Sequence, residues 1–288
     1  MRSLVTGATG YVGGRLVPQL LAAGHSVRVL ARSPEKLRDM PWADSVEIVR
    51  GDAESLADLR MAMDGCDVAY YLMHSLQHGR DLESSEGDMA TTFAVAASTS
   101  TLSRIVYLGG LAPDVPVGRM SPHMRSRVNV GEILRDSGIP TVELRAAVII
   151  GSGSASFEML RHLTERLPAM ITPRWVRTRT QPIAIRDVLR YLTLAAGLPP
   201  EVNRSFDIGG PQVLSYQEMM QSYARVAGLP RRVILPINLL SPGLSSHWVN
   251  LVTPVPKAIA RPLVQSLRHP SVCREHDIAA WIPDPEGG

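Results

Sequence analysis

The sequence has little cysteine, few aromatic residues and almost no excess of one charge. Cys66 and Cys273 are its two cysteines and lie far apart in the chain. A disulfide framework is therefore not expected, and a reducing compartment, the cytoplasm, is favoured. The net charge is +3, and no run of like charges marks a nucleic-acid surface. The composition is that of an ordinary globular protein without a nucleic-acid partner.

Long hydrophobic runs are missing as well. No stretch of 18 apolar residues occurs, which argues against a transmembrane helix. The first predicted strand begins at Arg2, which leaves no room for a signal peptide. The segment 233–256 lacks Asp, Glu, Lys and Arg, but its four prolines would break a continuous helix. We interpret it as a buried or interfacial segment, which permits packing across a homodimer or peripheral attachment to a membrane.

The first 150 residues alternate between short β-branched runs and helical patterns. Strands separated by helices predict βαβ crossovers, and hence an α/β fold with a doubly wound parallel sheet of the Rossmann type. After Gly151 the alternation weakens, and residues 168–182 are predicted to form a loop rich in proline and arginine. We expect residues 151–288 to form a smaller, mixed but mostly helical region on the substrate side, interleaved with the sheet rather than folded independently.

The strongest motif is TGATGYVGG at residues 6–14. Gly7 permits a tight turn after the first strand, Gly10 lets the backbone approach a pyrophosphate, and Gly13 allows close packing of helix on strand. The following helix offers unpaired N–H groups to phosphates. Residues 1–150 are therefore predicted to bind a dinucleotide, with loop contacts from Gly7, Thr9, Gly10, Tyr11, Val12 and Gly13.

The end of the second predicted strand selects between the two nicotinamide cofactors. A site that prefers NAD(H) places Asp or Glu there to bind the ribose 2′-OH. This sequence has Arg32 and Ser33 instead, with no acid at that place. A guanidinium suits a 2′-phosphate, so NADP(H) is favoured over NAD(H). The alternative is that Arg32 is a solvated loop cation.

Several motifs together resemble the short-chain dehydrogenase/reductase superfamily, and in particular its atypical NAD(P)H-binding branch of NmrA-like proteins and the related complex I accessory subunit. They are TGATGYVGG, GDAES (51–55), YYLMHS (70–75), LRAAVIIGSGSASFEML (144–160), QPIAIRDV (181–188) and FDIGGPQVLSYQEM (206–219). The tail from Leu239 onward resembles a connector that precedes an additional domain in longer relatives.

The resemblance implies roles for residues that follow the third and fourth strands. It places the adenine contact on Asp52 with Ala53. It places the ribose and nicotinamide half of the cofactor beside Leu72, Met73 and His74. Although His74 and His78 are four residues apart, they follow a strand in a loop, so no metal site is expected.

The resemblance also shows a departure at the catalytic positions. Catalytic members have a Tyr, a Lys four residues later, and a Ser at the end of the fifth strand. Here the same places hold His123, Arg127 and the pair Gly109–Gly110. His123 could act as general acid with a pKa of about 6.5, although a lone His at a helix start is typical of a surface cap residue. Alternatively, Arg127 keeps the ribose contact without turnover, or the acceptor takes its proton from elsewhere.

Two functions follow from these alternatives. One is an oxidoreductase that acts on a small apolar carbonyl or a quinone-like acceptor, with the uncharged segment 233–256 as an apolar wall. The other is a non-catalytic NADP(H)-binding redox sensor or scaffold of the NmrA-like type. The two differ in a measurable property, since only the oxidoreductase consumes NADPH.

Overall fold

The computed structural model describes residues 1–74, 82–237, 256 and 263–284. Its strands are β1 (Arg2–Thr6), β2 (Ser26–Ala31), β3 (Glu47–Arg50), β4 (Val68–Tyr71), β5 (Arg104–Gly110), β6 (Thr141–Ala146), β7 (Ile149–Ile150), β8 (Ala169–Pro173), β9 (Arg179–Thr180), β10 (Ile183–Ala184), β11 (Arg204–Ile208), β12 (Leu214–Ser215) and β13 (Val233–Ile237). Its α-helices are α1 (Tyr11–Ala22), α2 (Leu56–Met63), α3 (Leu82–Ser98), α4 (Pro122–Arg135), α5 (Ala155–Arg166), α6 (Ile185–Ala195) and α7 (Tyr216–Val226).

Seven strands form one parallel sheet in the order β3-β2-β1-β4-β5-β6-β11. From the centre of the sheet, β1, β2 and β3 follow one another to one side, and β4, β5, β6 and β11 to the other. The change of side between β1 and β4 is the switch point of a doubly wound fold. The predicted α/β fold with a parallel sheet is confirmed. The central strands are buried on both faces, because nearly every residue of β1, β4 and β5 is buried.

Helices cover both faces of this sheet. On one face, Leu16 and Leu20 of α1 pack in the same apolar cluster as Val188 and Leu192 of α6. On the other face, α2, α3 and α4 contribute their apolar sides to a second cluster that includes Phe93. Because the strands are parallel, the loops that follow β1 to β6 meet at one edge of the sheet, where we expected the binding site.

The predicted loop at 168–182 is wrong, because it contains β8 and β9. Strand β8 pairs in parallel with β13, and β9 pairs antiparallel with β12. Both partners come from distant parts of the chain, so the pairing is not visible in the local pattern. The β-branched run 141–150 contains two strands, because β6 stays in the main sheet while β7 leaves it to pair with β10.

The uncharged segment 233–256 begins as strand β13, and residues 238–255 lie outside the described residues. Its assignment to a homodimer contact, a membrane contact or a cavity wall therefore stays a prediction, as does the division into domains 1–150 and 151–288. In the part of the chain that the structure describes, no helix has the length and apolar character needed to cross a bilayer.

Candidate functional site

The glycine loop makes a tight turn at the carboxyl end of β1. Gly7 has a φ of 75°, in the left-handed region that favours glycine, and its carbonyl accepts a hydrogen bond from the Gly10 N–H at 2.9 Å. A Cβ at Gly7 would lie 2.6 Å from the backbone oxygen of Leu72. One at Gly13 would lie 2.9 Å from the Cα of Ala8. Side chains at these positions would therefore force apart the loop, α1 and the segment that follows β4.

This geometry fits the phosphates of a dinucleotide. Helix α1 begins at Tyr11, directly after the turn, so its first N–H groups have no helical partner and lie beside the loop. Thr9 and Gly10 are exposed, whereas Tyr11 and Val12 are half-buried. A narrow backbone cradle at a helix N-terminus is the arrangement that the sequence predicted.

The residues predicted for the adenosine half lie at the same edge of the sheet. Arg32 and Asp52 follow β2 and β3, two strands that pair at their last residues. Arg32 is exposed, and no acidic side chain pairs with it among the described residues. The Asp52 carboxylate accepts a hydrogen bond from the Glu54 N–H at 3.0 Å and shapes the turn before α2. Ser33 and Ala53, which follow them, are half-buried.

A cavity of about 250 Å³ adjoins the glycine loop. Its lining joins Tyr11 to the carboxyl ends of β5 and β6, to His74, and to the first turn of α4. Residues after 150 supply the rest of the lining, from α5, β9, α7 and the segment 263–271. The cavity thus lies between the predicted cofactor site and the region that we predicted to shape the substrate side.

His123 lines this cavity and is half-buried, not exposed. Ser121 caps α4 by accepting a hydrogen bond from the Met124 N–H at 3.2 Å, which turns the first helical turn toward the sheet edge. The Nδ1 atom of His123 is buried and has no hydrogen-bond partner among the described residues. Its ring centroid is 4.7 Å from that of His74.

Burial, together with the nearby His74 and Arg127, lowers the pKa of His123 to about 3, against the opposing effect of Glu86. Two expectations for this residue are therefore wrong: it is not a surface cap residue, and its pKa is not near 6.5. At neutral pH the imidazole of His123 is uncharged.

Helix α3 brings an acid to His74 that the sequence did not predict. The Nδ1 of His74 is 2.9 Å from Oε1 of the buried Glu86, and the Ser126 hydroxyl of α4 donates a hydrogen bond to the other carboxylate oxygen. Because a carboxylate only accepts, His74 donates through Nδ1, and Nε2 is the bare nitrogen of the neutral ring. Burial and the charge of Arg127 lower the pKa of His74, and their combined effect outweighs the opposing effect of Glu86.

Sequence reasoning could not single out Glu86, because α3 contains three acidic residues, Glu83, Glu86 and Asp88. In the described part of the chain, no group of three or more metal-ligating side chains occurs. His78 lies outside the described residues.

Arg127 lies one helical turn after His123, so both residues reach the same cavity. Its guanidinium donates to the backbone oxygen of Leu108 and lies 5.4 Å from the ring centroid of Tyr107. The Tyr107 hydroxyl donates in turn to the Arg127 backbone oxygen at 3.2 Å. Arg127 is thereby held at the end of β5.

The two glycines that replace the expected serine differ in their surroundings. A Cβ at Gly109 would lie 2.7 Å from Oε1 of Glu143, a carboxylate that Arg135 and Arg145 both bind. A Cβ at Gly110 would lie 3.2 Å from the flexible thioether of Met124. Glu143 therefore occupies the space that a side chain at position 109 would need.

Comparison with known proteins agrees with this geometry. The sequence profile of a family described as NAD(P)H-binding matches residues 7–152, which is half of the chain. The chain is 28% identical over 236 residues to (4-alkanoyl-5-oxo-2,5-dihydrofuran-3-yl)methyl phosphate reductase of Streptomyces griseus, covering 80% of this chain and 75% of that protein. It is 34% identical over 226 residues to 4-hydroxy-2-methyl-3-oxo-4-farnesyl-3,4-dihydroquinoline-1-oxide ketoreductase of Stigmatella aurantiaca, covering 69% and 66%.

The fold is similar to that of triphenylmethane reductase from Citrobacter sp., whose crystal structure was solved in complex with NADP(H). The TM-score is 0.77 at 20% identity, over 99% of this chain and 96% of that one. This likeness concerns the fold. Together with the profile match and the motifs, it identifies the chain as a member of the NAD(P)H-binding family of atypical short-chain dehydrogenases/reductases.

Proposed function

We propose that the protein is an NADP(H)-dependent oxidoreductase that reduces an apolar carbonyl or quinone-like acceptor without the usual Ser-Tyr-Lys set. The observation that carries this proposal is the cavity of about 250 Å³, which joins Tyr11 of the glycine loop to His74, His123 and Arg127. Apolar side chains form most of its lining, so it suits an acceptor with few polar groups. The names of the Streptomyces and Stigmatella relatives, both reductases, support the same class of reaction.

The residues of this chain fit each part of the cofactor. The glycine loop would hold the pyrophosphate, Arg32 and Ser33 the 2′-phosphate, and Asp52 with Ala53 the adenine. Leu72, Met73, His74 and Arg127 would line the nicotinamide half. When bound, NADPH supplies a hydride to the acceptor. The exposed Arg32 without an acidic partner in the described chain supports NADP(H) over NAD(H).

The ionisation of the site favours a conjugated acceptor. His123 and His74 are neutral at pH 7 because their pKa values are lowered, and burial raises the pKa of Tyr107 above its ordinary value. A neutral imidazole can donate a hydrogen bond to an oxygen but is a poor proton source. A quinone-like acceptor needs less acid assistance, because its reduced anion is delocalised and takes its proton later from water. The Stigmatella relative is named for a dihydroquinoline oxide that carries a ring ketone and an apolar farnesyl chain.

NADPH oxidation in the presence of 2,3-dimethyl-1,4-naphthoquinone tests this function. We expect steady loss of the reduced-nicotinamide absorbance, and a turnover number at least about tenfold lower in His123→Phe, which keeps a ring but removes its N–H donor. The control is His276→Phe, which removes an exposed imidazole that does not line the cavity. Equal turnover in His123→Phe and the wild type would remove His123 from the reaction.

The redox sensor is the second candidate, and the neutral state of both cavity imidazoles is the observation that favours it. A sensor binds NADPH and NADP⁺ with different affinities and consumes neither. Tight NADPH binding without oxidation by any quinone or aldehyde of a panel would establish the sensor instead of the oxidoreductase. Failure to bind either form would contradict both candidates and the assignment of the glycine loop.

A further inference from the structure

Two buried hydroxyl groups from the second half of the chain line the same cavity without a hydrogen-bond partner. Thr180 at the end of β9 is 3% exposed, and Tyr216 at the start of α7 is 1% exposed. Neither Oγ1 of Thr180 nor the Tyr216 hydroxyl is paired within the described chain. Burying an unpaired polar group is unfavourable, so these two hydroxyls, beside the unpaired Tyr11 hydroxyl in the same cavity, indicate that a ligand supplies the partner.

Regular structure holds both hydroxyls in place. The pairing of β9 with β12 sets Thr180 opposite Leu214, two residues before Tyr216. Ser215 and Glu218 form a capping box that fixes the first turn of α7. The Tyr216 ring contacts Trp175 edge to face, with ring centroids 5.3 Å apart. The two groups therefore have little freedom to turn toward other partners.

The charge of the lining defines the ligand group that these hydroxyls can bind. Among the described residues of the lining, Arg127 is the one Lys, Arg, Asp or Glu. Arg127 belongs to α4 and donates to the end of β5, so it is not part of the hydroxyl pair. Thr180 and Tyr216 thus offer two neutral O–H donors in an apolar surrounding, which suit a neutral oxygen such as a carbonyl.

We infer that Thr180 and Tyr216 form a second polar subsite, which binds a neutral oxygen of the acceptor other than the one at the reacting carbonyl. This inference rests on the proposed function and narrows its substrate class. An acceptor with two oxygens on one conjugated ring system, as in a quinone, satisfies both the His123 end and the hydroxyl pair. A ketone with a single oxygen leaves either the His123 end or the hydroxyl pair without a hydrogen-bond partner.

Orphaned hydroxyls elsewhere in the protein provide matched controls. Tyr70 and Thr172 are also buried, and their hydroxyls also have no partner in the described chain, but neither residue lines the cavity. Tyr70→Phe and Thr172→Val therefore repeat the chemistry of Tyr216→Phe and Thr180→Val away from the site. All four variants remove only an unpaired hydroxyl, so we expect each to fold with unchanged or slightly raised stability.

The test is a binding measurement with two probes. Calorimetric titration in saturating NADP⁺, where no hydride is available, compares 2,3-dimethyl-1,4-naphthoquinone with 2,3-dimethyl-1-tetralone, which lacks the second carbonyl. We expect Tyr216→Phe and Thr180→Val each to weaken quinone binding by roughly 5- to 10-fold, as one lost hydrogen bond predicts. Tetralone binding should change less than about twofold, and the control variants should change neither.

Equal weakening of both probes, or no change in quinone binding, would overturn the inference. The titration needs no turnover, so the two experiments can give different answers. Weaker quinone binding in the two variants, without NADPH oxidation by the wild type, would remove the oxidoreductase and leave the subsite in place. In the converse result, the wild type oxidises NADPH with the quinone while Tyr216→Phe and Thr180→Val bind the quinone as tightly as the wild type does. That result would keep the oxidoreductase and remove the subsite.

Discussion

The lowered pKa of the half-buried His123 makes the stability of the protein depend on pH. Its pKa is lowered from about 6.5 in an unfolded chain to about 3 in the folded one. Between these values the unfolded chain binds a proton that the folded chain does not, so stability is present above about pH 6.5 and is lost as the pH falls toward 3. His74 acts in the same direction, because its pKa is lowered as well.

His123→Gln should therefore flatten this dependence. We expect the free energy of unfolding to fall less steeply below pH 6.5 in the variant, by up to about 1.4 kcal/mol for each pH unit. Urea melts at pH 7, 6 and 5 give the slope, and the exposed His276→Gln provides the comparison. A slope that is the same in His123→Gln and the wild type would mean that His123 is not buried as a neutral group.

The contact between Glu86 and His74 yields a second prediction. In Glu86→Gln the side chain keeps its size but can no longer accept from both Ser126 and His74 as a carboxylate does. We expect turnover of a quinone to fall roughly 10-fold or more, because His74 loses its fixed tautomer. The imidazole ¹⁵N shifts of His74 should change from the Nδ1–H form to a mixture. The exposed Glu54→Gln should change neither quantity.

A serine at the end of β5 is the third test at this scale. Gly110→Ser requires only a small movement of the flexible Met124, so it should fold normally. Gly109→Ser places an atom against Glu143 and should lower the free energy of unfolding by about 1–3 kcal/mol. Thermal melts of the two variants compare them directly, and equal melting temperatures would contradict the assignment of that space to Glu143.

Part of the site was predictable from single residues. The spacing of His123 and Arg127 on one helix places both in the same cavity, as a period of 3.6 residues requires. The contacts of Glu86 with His74 and Ser126 were not predictable, because they depend on how α3 packs against α4. Local spacing fixes a helical face, but it does not show which face of another helix lies opposite.

Among the elements, the glycine loop has the least tolerance for a side chain. In Gly13→Ala the added Cβ meets the Gly7 carbonyl and the Cα of Ala8, both of which are backbone atoms. We expect a loss of about 1–3 kcal/mol in stability and at least a tenfold loss in NADPH affinity. Gly118→Ala meets open space and should change neither. Unaltered NADPH affinity in a folded Gly13→Ala variant would contradict the assignment of this loop.

The elements of the first half followed from the sequence, because each strand and helix there has its own periodicity. Strand β5, for example, lies on one of the short β-branched runs of this alternation, RIVYLGG. Strands β8 and β9 were missed because they are short, carry prolines and arginines, and gain their hydrogen bonds from β13 and β12. Pairing with distant partners overrode the local preference for a loop.

At the scale of the whole molecule, Arg104 connects the sheet to the second half of the chain. Its side chain is 2% exposed, and its guanidinium donates to the backbone oxygens of Leu198, Pro199 and Val202, between α6 and β11. Burial lowers its pKa but leaves it charged. The guanidinium is a charged donor shared by three carbonyls, of which that of Pro199 also accepts from the Val202 N–H.

Arg104→Met should consequently destabilise the protein strongly. We expect a loss of about 3 kcal/mol or more in urea unfolding, because the buried Val202 carbonyl and the half-buried Leu198 and Pro199 carbonyls lose their charged donor. Arg204→Met breaks an exposed ion pair with Asp277 and should cost less than about 1 kcal/mol. Similar losses in the two variants would mean that the Arg104 contacts add little to the junction.

The placement of Glu143 has a consequence for how such a site can evolve. Glu143 is 1% exposed, binds Arg135 and Arg145, and fills the space beside Gly109 and Gly131. A serine could return to position 109 only after Glu143 had been replaced by a smaller residue. That first replacement would leave two arginines without their shared acid. Mutations at positions 109 and 143 are therefore epistatic. A protein that carries only one of the two changes is less stable than the present sequence.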